Sequence, residues 1–219
     1  MRHGRPAGPL GECLDEAAAM LLFARRWLKD PMKVGAVAPS SPVLARAMIK
    51  ALDLEPGHTC LEIGPGTGAF TEHLVEACDG DVRLVLVEQD PVFVGHLRQR
   101  FRNAEVIAGD ARDLPQLLAA NGINQVPRIL SGLPLRSMPP PLRMRLARAM
   151  GDVLEIGGRM VQFTYLAGPP LLPRLAAAAR VEGRRVDFVA RNAPPAFIWV
   201  YGKVVGQGIA PELFRRSDA

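Results

Sequence analysis

Three glycines on alternate positions, Gly64, Gly66 and Gly68, follow a carboxylate, Glu62, at the end of the apolar run 59–63. Such a turn lets a ligand approach the backbone, and a helix starting behind it at about residue 69 offers unpaired N–H groups. The spacing separates two ligand classes. A dinucleotide pyrophosphate rests on a G-x-G-x-x-G turn. Here the pattern is G-x-G-x-G, and the carboxylate two residues ahead would repel a pyrophosphate and attract a cationic amino-acid moiety. Two further carboxylates stand at apolar-run ends. Glu88 closes the run 83–88, twenty residues after Gly68, where it can accept both hydroxyls of a ribose, with Gln89 placed against an adenine. Asp110 and Ala111 follow the run 105–108; Asp110 would accept from the adenine amino group and the Ala111 N–H would donate to the ring. The three groups come in order at three successive strand ends, so all open onto one edge of a sheet.

The elements that must hold these groups alternate between strand and helix. Strands are predicted at 59–63, 83–88, 105–108, 127–131 and 160–165. Helices are predicted at 69–78, 91–101 and 141–154, the last with Leu142, Leu146, Ala149 and Met150 along one face. Such alternation implies a doubly wound, mostly parallel α/β sheet. With the glycine turn, it resembles the class I S-adenosylmethionine-dependent methyltransferases. The resemblance implies a Rossmann-like seven-stranded sheet closed by an antiparallel pair at 183–190 and 197–205. It also implies S-adenosyl-L-methionine as cofactor and S-adenosylhomocysteine as product.

Composition bounds the rest. A chain of 219 residues suits one α/β domain with an N-terminal extension. No run of eighteen apolar residues and no signal-peptide core is present, so a cytoplasmic protein without a spanning helix is expected. Cys13, Cys60 and Cys78 and the scattered histidines share no ligand spacing, so no metal is expected. The net charge of +5 implies an anionic partner, either nucleic acid or an acidic membrane surface. The expected organisation is a flexible segment 1–11, a helical extension 12–58, a catalytic domain 59–205 and a tail 206–219. Within the extension, helix 12–30 carries Leu14, Ala17, Met20, Leu21, Ala24, Trp27 and Leu28 on one face, Arg25, Arg26 and Lys29 at its opposite edge, and Phe23 outside the stripe. It could lie in a membrane interface or pack on the sheet as a lid. After the small-residue run 34–40, Ser41 is a plausible N-cap with Pro42 at N1 of a helix reaching about Leu52.

The methyl acceptor should face Ser131-Gly132-Leu133-Pro134-Leu135 at the end of the fourth strand. The first motif and this Leu-Pro element also resemble the ribosomal RNA adenine dimethyltransferases, which have Asn at the head of the element and an aromatic directly after the proline to stack the target base. Ser131 and Leu135 occupy those places here, and little chain follows the last strand for the helical RNA-binding domain of those enzymes. Four other blocks fit better: residues 23–41, Ser-Gly-Leu-Pro-Leu at 131–135, Gln-Phe-Thr-Tyr at 162–165, and Arg-Asn-Ala-Pro-Pro-Ala-x2-Trp at 191–199. In these the chain resembles the soluble bacterial phospholipid N-methyltransferases.

That resemblance implies up to three methyl transfers onto phosphatidylethanolamine towards phosphatidylcholine, on the inner face of the cell membrane. It also implies an N-terminal helix bound to anionic membrane through Phe23, Arg25, Arg26, Trp27 and Lys29. No nucleic acid and no obligate protein partner are expected. Ser131 and the Gly132 or Leu133 carbonyl would orient the amine. Phe163 and Tyr165 share one face of a strand and could hold a methylated ammonium by cation–π attraction. Lys33, Arg136 and Arg191 are candidates for the lipid phosphate, and Ser40 and Pro134 for the substrate side. The alternatives are an RNA adenine methyltransferase, or a membrane-binding protein that holds S-adenosylmethionine without turning it over.

Overall fold

Strands buried on both faces are apolar throughout, and the central strands of this chain are of that kind. The computed structural model describes residues 41–78 and 80–204. The expected interfacial helix with Phe23, Arg25, Arg26, Trp27 and Lys29, the substrate candidates Lys33 and Ser40, and the tail 206–219 lie outside the described residues. Seven strands form one sheet: β1 (Thr59–Ile63), β2 (Arg83–Glu88), β3 (Glu105–Ala108), β4 (Val126–Ser131), β5 (Leu154–Thr164), β6 (Val181–Val189) and β7 (Ala196–Lys203), in the order β3-β2-β1-β4-β5-β7-β6. The first five are parallel, and β7 runs antiparallel to both its neighbours. This is the doubly wound Rossmann-like sheet the sequence predicts. Reversal between β1 and β4 makes the crevice above the carboxyl ends of the strands, where open α/β sheets bind ligands.

Helix α1 (Pro42–Leu52) starts where its capping chemistry requires. The Ser41 side chain accepts from the Leu44 N–H at 3.2 Å, and Pro42 takes the first helical position. Its buried stripe of Leu44, Ala45, Met48 and Leu52 packs into one core with Leu130, Val161, Ile198 and Val200 from the sheet and Phe70 and Leu74 from α2 (Ala69–Cys78). Each fully buried leucine there contributes about 2 kcal/mol. Helix α3 (Pro91–Arg100) is capped by Asp90, whose carboxylate accepts from the Val92 N–H. Helices α4 (Leu114–Ala120), α5 (Pro140–Val153) and α6 (Pro173–Ala178) pack side by side.

Sequence and structure part at β5. It leaves α5 directly at Leu154, ahead of the expected 160, because Gly157 and the exposed Ile156 break the apolar pattern while the backbone keeps pairing through a register shift against β4. The short α4 and α6 were not expected; neither is long enough to impose a helical periodicity. Among the described residues no helix is long and apolar enough to cross a membrane, and no three metal-ligating side chains cluster.

Candidate active site

The glycine turn sits between β1 and α2, and its three glycines do different work. All three have positive φ, +68° at Gly64, +57° at Gly66 and +87° at Gly68. A Cβ at Gly64 would lie 2.7 Å from the Leu133 side chain, and one at Gly68 would lie 2.5 Å from the Phe101 ring. A Cβ at Gly66 would meet nothing within 4 Å. Gly64 and Gly68 are therefore packing glycines, and Gly66 borders the open space that a ligand would fill.

Glu62 lies beneath this turn, fully buried. Its Oε2 accepts from the Thr71 hydroxyl at 2.7 Å, while Oε1 has no partner. Burial pushes its carboxyl up to about 8, the nearby Glu88 charge adds to the rise, and the Thr71 bond opposes it. An unpartnered buried acceptor fits the ammonium of an amino-acid moiety, which would restore the charged form and satisfy the oxygen. Glu88 is nearly buried at the end of β2. Its Oε2 accepts from the Gly66 N–H at 3.0 Å, and its Oε1 accepts from the Gln89 and Asp90 N–H groups at 2.8 and 2.9 Å. It thereby ties the second strand to the glycine turn, with lone pairs left for a ribose hydroxyl. Gln89 is exposed beside it. Asp110 caps the 3-10 turn Ala111–Asp113, accepting from the Arg112 backbone at 2.8 Å and from its guanidinium at 2.8 and 2.7 Å; Ala111 is buried. Glu62, the glycines, Glu88, Gln89, Asp110 and Ala111 thus reach one edge, and the carboxylates are already bonded to the protein that positions them.

The end of β4 meets this edge directly. The Gly132 N–H donates to the Ile63 carbonyl at 3.0 Å, and a Cβ at Gly132 would lie 3.0 Å from the Gly64 carbonyl. Ser131 is fully buried and its hydroxyl accepts a long bond, 3.4 Å, from the Leu133 N–H. The Leu133 carbonyl accepts from Gln162 Nε2 at 2.7 Å. Pro134 is partly exposed, whereas Leu135 is 2% exposed, so the position after the proline presents no side chain for stacking.

Beyond β5 the aromatic residues form a chain. Phe163 contacts Phe70, with centroids 5.7 Å apart, and meets Tyr165 edge-on at 5.3 Å. Phe163 packs against the core, while Tyr165 is half-buried with its hydroxyl on the Asn192 side chain. Burial pushes the Tyr165 phenol up to about 12, so it stays protonated at neutral pH and is no general base. Arg191 is exposed beside Asn192, and Arg136 Nη1 donates to the Pro169 carbonyl at 3.4 Å.

Two residues escape sequence reasoning. Gln162 is 1% exposed, and its signal is a lone amide in an otherwise apolar strand interior. Asn192 is 4% exposed and accepts from the Ser41 hydroxyl at 2.6 Å while donating to the Pro194 carbonyl at 2.7 Å. No periodicity announces it, because its partner is the N-cap of α1.

Comparison with known proteins divides along the same line. Residues 40–118 match the family described as Ribosomal RNA adenine dimethylase. A Ribosomal RNA small subunit methyltransferase A of Synechococcus elongatus is 39% identical over 95 residues, 42% of this chain and 29% of that protein, so the chain spans less than a third of it. An Ornithine lipid N-methyltransferase of Singulisphaera acidiphila is 35% identical over 178 residues, 80% of this chain and 91% of that protein. A match of that length necessarily includes β4 and β5. Among solved structures, a TehB-like SAM-dependent methyltransferase of Corynebacterium glutamicum superposes with a TM-score of 0.55 at 17% identity, covering 86% of this chain and 100% of that one.

Proposed function

The chain belongs to the class I S-adenosylmethionine-dependent methyltransferases, and on that premise we propose that it methylates the amine of a membrane-lipid head group. The observation that carries this reading is the character of the β4 edge. It brings the Ser131 hydroxyl and the Leu133 carbonyl together at the strand end, and the residue after the proline is a buried leucine, Leu135, in place of a ring. An extruded adenine needs that ring, whereas a primary amine needs acceptors and a dry pocket.

Bound S-adenosylmethionine supplies an activated methyl: the new N–C bond forms as the C–S bond breaks, and S-adenosylhomocysteine leaves. Glu62 would hold the cofactor's ammonium, Glu88 its ribose, and Asp110 with Ala111 its adenine. Neither 131–135 nor 162–165 contains a carboxylate, histidine or thiol, and in this reading the ammonium proton leaves through water before transfer. Leu133 and Ser131 then align the amine lone pair with the methyl.

We take phosphatidylethanolamine as the substrate, with transfer continuing towards phosphatidylcholine. Arg191, Arg136 and Lys33 are the candidates for the phosphate, and Ser40 and Pro134 for the rest of the substrate. The ornithine-lipid relative favours a second reading, a head group with an amine and a carboxylate in place of the phosphate. Both place the reaction at a membrane surface. Leu166 and Phe188, about half exposed, lie with Arg191 at the sheet end where Thr164 pairs with Phe197 and Phe197 with Phe188. In this reading that edge meets the bilayer, aided by Phe23, Arg25, Arg26, Trp27 and Lys29.

The test is transfer of radiolabelled methyl from S-adenosylmethionine to vesicles of phosphatidylethanolamine, to vesicles of ornithine lipid, and to ribosomal RNA. Label in phosphatidylethanolamine supports the first reading. Label in ornithine lipid alone replaces it with the second. Label only in RNA overturns both.

A further inference from the structure

The Gln162 amide is satisfied on one side only. Nε2 donates to the Leu133 carbonyl, and because a carbonyl can only accept, this bond fixes which way the amide faces. The oxygen, Oε1, is buried and has no partner. On β7, Trp199 is the register partner of Gln162, so the two side chains rise from the same face of the sheet at directly opposed positions. The indole Nε1 is also buried and also without a partner. Its ring is held in place, stacked at 6.3 Å on Tyr201, whose hydroxyl accepts from the Leu171 N–H at 3.1 Å. An acceptor and a donor are thus kept out of water beside the catalytic strand end without bonding each other. Leaving each of these atoms unpaired is unfavourable, and a bound polar group would remove that penalty.

We infer that Gln162 and Trp199 form the polar floor of the head-group site, Gln162 holding the substrate amine and Trp199 an oxygen of the same head group. The inference rests on the amine-lipid reading above. A neutral primary amine has two N–H bonds and one lone pair. The Leu133 carbonyl and Gln162 Oε1 are two acceptors fixed to each other by the 2.7 Å bond. They take the two N–H bonds and leave the lone pair free for the methyl. Trp199 Nε1 donates to the phosphate or carboxylate oxygen. A monomethylated amine keeps one N–H and a dimethylated amine none, so Gln162 acts on the early transfers and has no hold on the last.

The test uses the full chain with Gln162→Met and Trp199→Phe, assayed separately on vesicles containing the unmethylated and the dimethylated head group. Gln162→Met should lower kcat by about tenfold on the unmethylated lipid and by less than about twofold on the dimethylated one, the loss of one hydrogen bond. Trp199→Phe should raise KM severalfold for both, with the affinity for S-adenosylmethionine unchanged. Equal losses on both lipids would reduce Gln162 to a structural role and overturn the inference. So would wild-type rates in both variants, which would mean that the two atoms share only a buried water.

A measurement on the unmutated protein covers a misfolded variant. The chain has two tryptophans, so the Trp199 indole N–H resonance can be assigned by its loss in Trp199→Phe. With S-adenosylhomocysteine bound, O-phosphoethanolamine or ornithine should shift that resonance, and no shift at saturation overturns the subsite. If the unmutated enzyme methylates no amino lipid, the proposed function fails first. If it methylates one while the indole stays still, only the subsite fails.

Discussion

The edge formed by β1 to β3 and the edge formed by β4 to β7 are built in different ways. On the first, the polar groups close on neighbours nearby in the chain: Glu62 on Thr71 nine residues on, Glu88 on Gly66 twenty-two residues back, Asp110 on Arg112 two residues on. On the second, the partners are distant, with Leu133 and Gln162 29 residues apart and Ser41 and Asn192 151 apart. A locally closed edge can be shared by enzymes with different acceptors, because it needs only one strand-turn-helix unit and the strand beside it. The ribosomal RNA family match stops at residue 118, before β4 begins. The distant edge exists only once β5 has paired with β4 and the antiparallel pair β6 and β7 has been added, and it is where acceptors can differ.

Substitutions can break this contrast. The largest effect is expected at Gly68→Ala, which adds a Cβ 2.5 Å from the Phe101 ring at φ +87°. It should destabilise the fold by about 2–5 kcal/mol, combining overpacking with left-handed strain. Gly66→Ala has open space and should cost only about 1 kcal/mol of stability in thermal unfolding. It should nevertheless weaken S-adenosylmethionine binding measured by calorimetry. If both variants unfold alike, the division of labour within the turn is wrong.

Next comes Glu62→Gln, which should weaken cofactor binding by about a hundredfold through loss of the buried ion pair. The pH dependence has two signs. Burial lifts the folded pKa to about 8, well above the ordinary carboxylate range, so the ligand-free fold gains from the neutral carboxyl at low pH and loses that gain as pH rises through about 8. Cofactor binding needs the ionised carboxylate and should tighten as pH rises towards 8, then level off. Glu62→Gln should lose both trends; persistence of either would assign it to another group.

On the second edge, Asn192→Ala removes the link between Ser41, Pro194 and Tyr165 and should cost about 1–3 kcal/mol. Lipid turnover should fall while cofactor affinity holds, and a parallel loss of cofactor affinity would merge the two edges. The smallest effect is expected at Arg83→Ala. The pair with Glu105 is bidentate, at 2.7 and 2.8 Å, but both side chains are nearly half exposed. Its removal should change stability by no more than about 0.5–1 kcal/mol, readable as a shift in the urea midpoint.

The amino-acid sequence by itself determined the glycine turn, the strands β1, β2 and β3, the cap at Ser41 and the order of the cofactor-facing carboxylates. These depend on residue types a few positions apart, so steric freedom at glycine and strand-end chemistry suffice to read them. It also determined that no ring follows Pro134. Only the tertiary structure decided that Gly64 and Gly68 are packing glycines while Gly66 faces open space, because that depends on where Leu133 and Phe101 arrive. It likewise decided that β5 begins at Leu154, that Asn192 joins the N-cap of α1 to Tyr165, and that Gln162 and Trp199 stand opposite each other with one unpaired atom apiece. Those arrangements rest on register between strands far apart in the chain. A one-residue slip in that register would turn Trp199 to the other face, and no local pattern records it.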